Sequence, residues 1–88
     1  MKDLDNAPEC WADIFEGDTF DGTLLRLPEG RHEGLEMPGS VIVGPGAAAR
    51  FIDGKTGIIM RLGPTSVFPG VARRCTAFEL LRIEVLAA

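Results

Sequence analysis

No apolar run in this 88-residue sequence approaches the roughly 18–20 residues that a membrane-spanning helix needs, so the chain is not expected to cross a bilayer. The opening stretch MKDLDNAPEC carries acids where a secretory signal carries its apolar core, and a cytoplasmic location is the expectation. Histidine occurs once, at His32, and cysteine twice, at Cys10 and Cys75, with no CxxC spacing; a structural zinc site is therefore not expected. Bases are outnumbered, 9 Lys+Arg against 13 Asp+Glu for a net charge of −4, so nucleic-acid phosphates are not an expected partner. A sustained helical period with caps is also missing. The two cysteines could bridge a long loop, worth about 4 kcal/mol in the chain-entropy model. In a reducing compartment they are expected instead as two small buried thiols.

What remains is an ordinary globular composition, 45% hydrophobic and 25% charged, in a length that suits one domain. Residues 1–9 read as a loose polar leader and residues 10–88 as the domain. Short apolar or β-branched runs punctuated by Gly and Pro predict strands over 10–16, 23–27, 40–43, 48–53, 58–62 and 79–86. His32 falls in a polar turn between Gly30 and Gly34, and residues 70–76 have room for one helical turn. Gly44-Pro45-Gly46 lacks the lysine and following helix of a phosphate loop and reads as a tight turn. Trp11 is expected in the core of the first strand, and Val67, Phe68 and Val71 around Pro69 on an exposed association patch. Many short strands and no long helix define an all-β domain.

The two halves are alike. Phe15 to Gly22 followed by Thr23-Leu24-Leu25-Arg26-Leu27 is matched by Phe51 to Gly57 followed by Ile58-Ile59-Met60-Arg61-Leu62. Setting Gly22 on Gly57 aligns Arg26 with Arg61 and Leu27 with Leu62, and Ser40 to Val43 has a counterpart in Leu80 to Ile83. A unit used twice, neither copy able to bury its apolar face alone, predicts a small sandwich.

An aromatic residue, six residues, a glycine and a later serine opening a strand resembles the Greek-key signature of the βγ-crystallins; Phe15, Gly22 and Ser40 carry it. The resemblance spans about Trp11 to Val85 and implies two four-stranded Greek-key units, about residues 10–44 and 46–88, packed as one sandwich. It implies that Gly22 takes a positive φ, that the Phe15 ring covers a folded-back loop, and that the Ser40 hydroxyl ties that loop down. The second copy, from Phe51 to Gly57, is one residue short and has leucine at position 80, which puts its folded loop in doubt. Microbial members of that family commonly bind calcium through two Asn/Asp residues, two variable residues and then a Ser/Thr-Ser pair. The matching stretch Leu35 to Ser40 offers only Glu36 and Ser40, with Glu16 as a third oxygen source and Asp18, Asp21 and Asp53 in the loops. Calcium takes six to eight hard oxygens, so weak, millimolar binding or none is expected, and no other cofactor.

No catalytic constellation stands out, since nothing places His32 beside either thiol, and a non-enzymatic structural or binding module is the leading expectation. The alternatives are a small inhibitor or toxin-like effector acting by protein contact, or an acidic mimic that blocks a basic partner surface. Charge is divided between the halves, −7 over residues 1–40 and +3 over residues 41–88. Such a dipole favours self-association as a homodimer or higher oligomer.

Overall fold

The computed structural model describes residues 9–75 and 81–88. The leader 1–8 and positions 76–80, including Thr76, Glu79 and Leu80, lie outside the described residues. The strands are β1 (Trp11–Phe15), β2 (Leu24–Pro28), β3 (Gly30–Leu35), β4 (Ser40–Val43), β5 (Ala47–Asp53), β6 (Gly57–Leu62), β7 (Val67–Phe68) and β8 (Leu81–Ala87), with one helical turn, α1 (Val71–Arg74), between the last two. They form an all-β sandwich of two four-stranded sheets, ordered β2-β1-β4-β7 and β3-β8-β5-β6, with every pairing antiparallel.

The sheets do not divide the chain at its middle. The third strand of each half, β3 and β7, crosses to the sheet built by the other half. The two sheets therefore have the same pattern, with β1, β2, β4 and β7 answering to β5, β6, β8 and β3. Alternation along the strands sets the core. In β5 the pattern is strict: Ala47, Ala49, Phe51 and Asp53 point inward and are buried, while Ala48, Arg50 and Ile52 are only half-buried. Ala12, Val41, Val43, Phe51, Leu81, Ile83 and Val85 form the sealed interior. Alanine at 12, 47 and 49 lets the central strands β1 and β5 approach across that interior.

Three sequence expectations change. His32 lies on strand β3, not in a turn; the run Gly30-Arg-His-Glu-Gly-Leu hides its strand character behind charge and two glycines at φ +137° and +74°. Its ring Nε2 is 2.8 Å from the Pro28 carbonyl, to which it donates. Trp11 is not in the core but half-buried on the outer face, beneath the Arg26 guanidinium at 4.1 Å, because Ala12 takes the inward position. Val71 is fully buried in the core, as its backbone N–H donates to Gly39 O and draws α1 onto the sandwich. Only Val67 of that expected patch is strongly exposed, at 60%. Cys10 and Cys75 are both free thiols, the second with its Sγ 3.6 Å from Met60 Sδ.

Phe51 is wholly enclosed, so Phe51→Ala opens a cavity between the sheets; a loss of about 3–5 kcal/mol is expected in urea unfolding. The half-buried Phe15 should cost distinctly less when truncated, because its ring closes against the hairpin and not the core.

Candidate functional site

The chain between β1 and β2 does not make a short turn. Residues 16–23 fold back over the outer face of the first sheet, at the end where Phe15 and Ser40 face each other in register. Glu16 N donates to Thr23 O (3.0 Å) and Gly17 N to Asp21 O (2.8 Å), which closes the loop on itself. Ser40 Oγ, fully buried, donates to Gly17 O (2.6 Å) and accepts from Phe20 N (2.9 Å). One hydroxyl thus satisfies two backbone groups that the fold-back would otherwise strip of partners. Gly22 sits at φ +80°, where a side chain is strained, and an added Cβ would stand 3.2 Å from Glu16 Cβ. Phe20, itself at φ +62°, sets its ring edge-on against Phe15 with centroids 5.7 Å apart.

Two further contacts clamp this hairpin from outside. Gly39 lies so close beneath it that a Cβ would fall 2.5 Å from Glu16 O, and Gly39 N donates to Phe15 O. At α1, Gly70 N donates to Asp18 O (3.1 Å) and Arg73 Nη2 pairs with Asp18 Oδ2 (3.1 Å).

The second half carries a different arrangement at the matching place. In register, Ala12 pairs with Leu27 and Val43, and Ala49 with Leu62 and Val85. Counting along from these anchors, Phe15 answers to Ile52 and Ser40 to Arg82, whereas Phe51 answers to the inward-facing Ile14. The sequence alignment of Phe51 with Phe15, and of Leu80 with Ser40, is therefore off along those strands. Phe51 is a core residue, not a lid. Gly57, at φ +88°, closes a tight turn in which Asp53 Oδ1 accepts from Lys55 N (2.9 Å), and an added Cβ on Gly57 would meet nothing within 4 Å.

With no fold-back over it, Arg82 joins an ion-pair row on the outer face of the second sheet. Glu84 sits among Arg50 (2.6 Å), Arg82 (3.3 Å) and Arg31 (3.9 Å), from three adjacent strands. Only the Arg50 contact is a well-aligned hydrogen bond; the Nε atoms of Arg50 and Arg82 are buried without one. On the other sheet, Arg26 grips the buried Asp13 through two bonds of 2.7 and 2.9 Å, and that carboxylate holds its guanidinium above the usual range.

The three residues expected to hold calcium separate. Glu16 and Glu36 line one groove of about 190 Å³, together with Ile14, Leu25, Met37 and Pro38. Ser40 does not line it, and its hydroxyl is spent on Gly17 and Phe20. Among the described residues no group of three or more His, Cys, Asp or Glu side chains converges as metal ligands would. The acids at 53, 33 and the arginine at 82 border a second hollow of about 430 Å³, at the matching end of the other sheet. The chain matches no protein-family model, and comparison with curated proteins and with solved structures finds no match.

Ser40→Ala removes both ties and leaves a part-buried amide and carbonyl without that partner; a destabilisation of about 1–3 kcal/mol is expected by chemical unfolding, with exchange of the Phe20 amide accelerated. Burial, and then Glu29, push the Cys10 thiol up. It should alkylate more slowly than a free cysteine at mildly alkaline pH. Folding stability should also fall as pH rises past the point where an unfolded thiol ionises, because the unfolded chain releases that proton first.

Proposed function

We propose that this protein is a non-enzymatic structural and binding module of the βγ-crystallin type, a single domain of two Greek keys with weak or absent calcium binding. The observation that carries the reading is the conjunction at one place of the fold-back hairpin, Gly22 at φ +80°, the Phe15 ring and the Ser40 hydroxyl. The exchange of β3 and β7 between the sheets supports it, since in each half the fourth strand returns beside the first. In this reading the first copy keeps its working parts, and the second has traded them for a short turn and an ion-pair row.

The calcium part follows from donor chemistry. Glu16 and Glu36 offer two carboxylates to one groove whose other walls are largely apolar, far fewer oxygens than calcium gathers. The domain then works through its surfaces and its packing, with self-association as one use of the charge asymmetry.

Calorimetric unfolding with added calcium tests this. With a dissociation constant near 1 mM, about 0.1 mM calcium adds only ~0.06 kcal/mol, and the unfolding temperature should not move measurably. A rise of several degrees, abolished by Glu16→Gln or Glu36→Gln, would overturn the weak-calcium reading and make the groove a true metal site.

A further inference from the structure

Among the described residues the two sheets leave four edges, and they are not equally protected. Strand β7 has two residues and is followed at once by Pro69. Strand β3 contains two glycines at positive φ, breaks register between His32 and Leu35, and carries Arg31 and Glu33. Strand β6 begins at Gly57 and is interrupted by a bulge where Ile59 has no partner in the β5 ladder. Bulges, glycines, charges and brevity are the devices that keep edges from pairing with other chains. Strand β2 has none of the first two: five residues pair with β1 without a break, and its one charge, Arg26, is already held by Asp13.

The orientation of its backbone follows from the ladder. Glu16 N donates to Thr23 O, and antiparallel pairing alternates, so residues 23, 25 and 27 face β1. Leu24 and Arg26 therefore turn both N–H and C=O toward the open side, while Pro28 has only a carbonyl, which already accepts from His32. Leu24 is 51% exposed and Leu25 48%, although Leu25 points toward the interior. The sandwich is open there: Leu25 borders the 190 Å³ groove with Ile14, Met37 and Pro38, and Glu16 and Glu36 stand at its rim. Glu29 follows the strand and Asp21 precedes it.

We infer that the β2 edge is a docking site for an extended segment of another protein, apolar in alternate residues and flanked by lysine or arginine. The segment adds a fifth strand to the first sheet through the outward groups of Leu24 and Arg26, and places one apolar side chain in the groove beside Leu25. Charge selects the occupant: Glu16 and Glu36 line the groove beside Leu25, Asp21 and Glu29 flank the strand in sequence, and the one base on it is paired with Asp13. A second copy fits poorly. Two-fold pairing centred on Arg26 sets guanidinium against guanidinium and Leu24 against Pro28, which has no N–H. Centred on Leu25, it brings Asp21 against Glu29. Centred on Leu24, it runs Arg26 into Gly22, where the chain has left the extended conformation. The inference rests on the sandwich and its edges alone, so it does not depend on the crystallin reading.

The probe is the synthetic peptide acetyl-Lys-Val-Thr-Leu-Thr-Lys-amide, beside a twin with glutamate for both lysines. Titration into the whole isotope-labelled protein should shift the amides of Leu24 and Arg26 most, with the acidic twin at least tenfold weaker. Leu24→Pro removes an N–H that takes no part in the β1 ladder; it should keep the fold and lose binding at least tenfold. Leu24→Lys, which leaves the backbone donor in place, should fold and weaken binding of the lysine peptide through like charge. Glu16→Gln with Glu36→Gln should weaken it several-fold. Equal binding of both peptides, shifts centred on another edge, no binding at all, or a concentration-dependent dimer broken by Leu24→Pro would each overturn the proposal.

Discussion

Because β3 and β7 lie in the sheet of the opposite half, neither half of the chain completes a four-stranded sheet by itself. Strand β8 of the second half is hydrogen-bonded on one side to β5 and on the other to β3, from the first. Strand β4 stands likewise between β1 and β7. Each fourth strand would be an edge if its neighbour were withdrawn, and its buried residues, Val41 and Val43 or Ile83 and Val85, would face water along one side. The core therefore forms only when both halves are in place. A chain this short buries a modest fraction of its surface, and sharing strands makes all of that interior one cooperative unit.

Within that frame the two copies of the unit diverge at a single place. In the first, a buried hydroxyl at 40 and a glycine at 22 let eight residues lie down on the sheet. In the second, an arginine holds the serine's position and the connection is a tight turn ending at Gly57. These differences belong together. A serine-sized side chain leaves room for a loop and supplies both a donor and an acceptor, whereas an arginine fills that space and needs a carboxylate. Glu84, with Arg31 and Arg50 beside it across the strands, meets the need. The outer face that one sheet covers with its own hairpin, the other sheet covers with a polar network.

Much of this was legible in the residues, for identifiable reasons. Ser40 to Val43 and Ala48 to Asp53 read as strands because β-branched or alternating apolar residues stand between Gly and Pro stops. The duplication was visible because Arg26-Leu27 and Arg61-Leu62 occupy the same places in their strands. Strand β3 was hidden because it is an edge with its charged residues, Arg31 and Glu33, outward, and composition alone makes such a segment look like a turn. Phe51 misled for another reason. Aromatic-to-glycine spacing counts residues along the chain, but the lid position is set by pairing across it, and the shortened second loop moves Phe51 onto the inward face. Composition does not display the alternation that burial has along β5, because Ala48 and Ile52 on the other face are apolar too and the inward Asp53 is charged. Val71 could not be placed from its neighbours, since a hydrogen bond to Gly39, distant in sequence, brings it into the core.

The division of charge takes on a different meaning once the strands are exchanged. Counted by halves the chain is a dipole, but Arg31 and Glu33 travel with β3 to the second sheet, and Asp18 is paired with Arg73 from the other half. Part of the opposition is thus spent inside the molecule, across the seam between the halves. What is left is local: Glu16 and Glu36 line the groove beside β2, an unbulged edge with two half-exposed leucines. The exchange supplies the edges made of β3 and β7 with strands that are broken or very short. Strand β6, which stays with its own half, carries a bulge instead. Among the described strands β2 alone stays both regular and open, and the fold-back hairpin above it does not cover the edge because Ser40 and Asp18 hold it over β1 and toward α1. The tie that stabilises the first copy of the unit is thus also what leaves its outermost strand accessible.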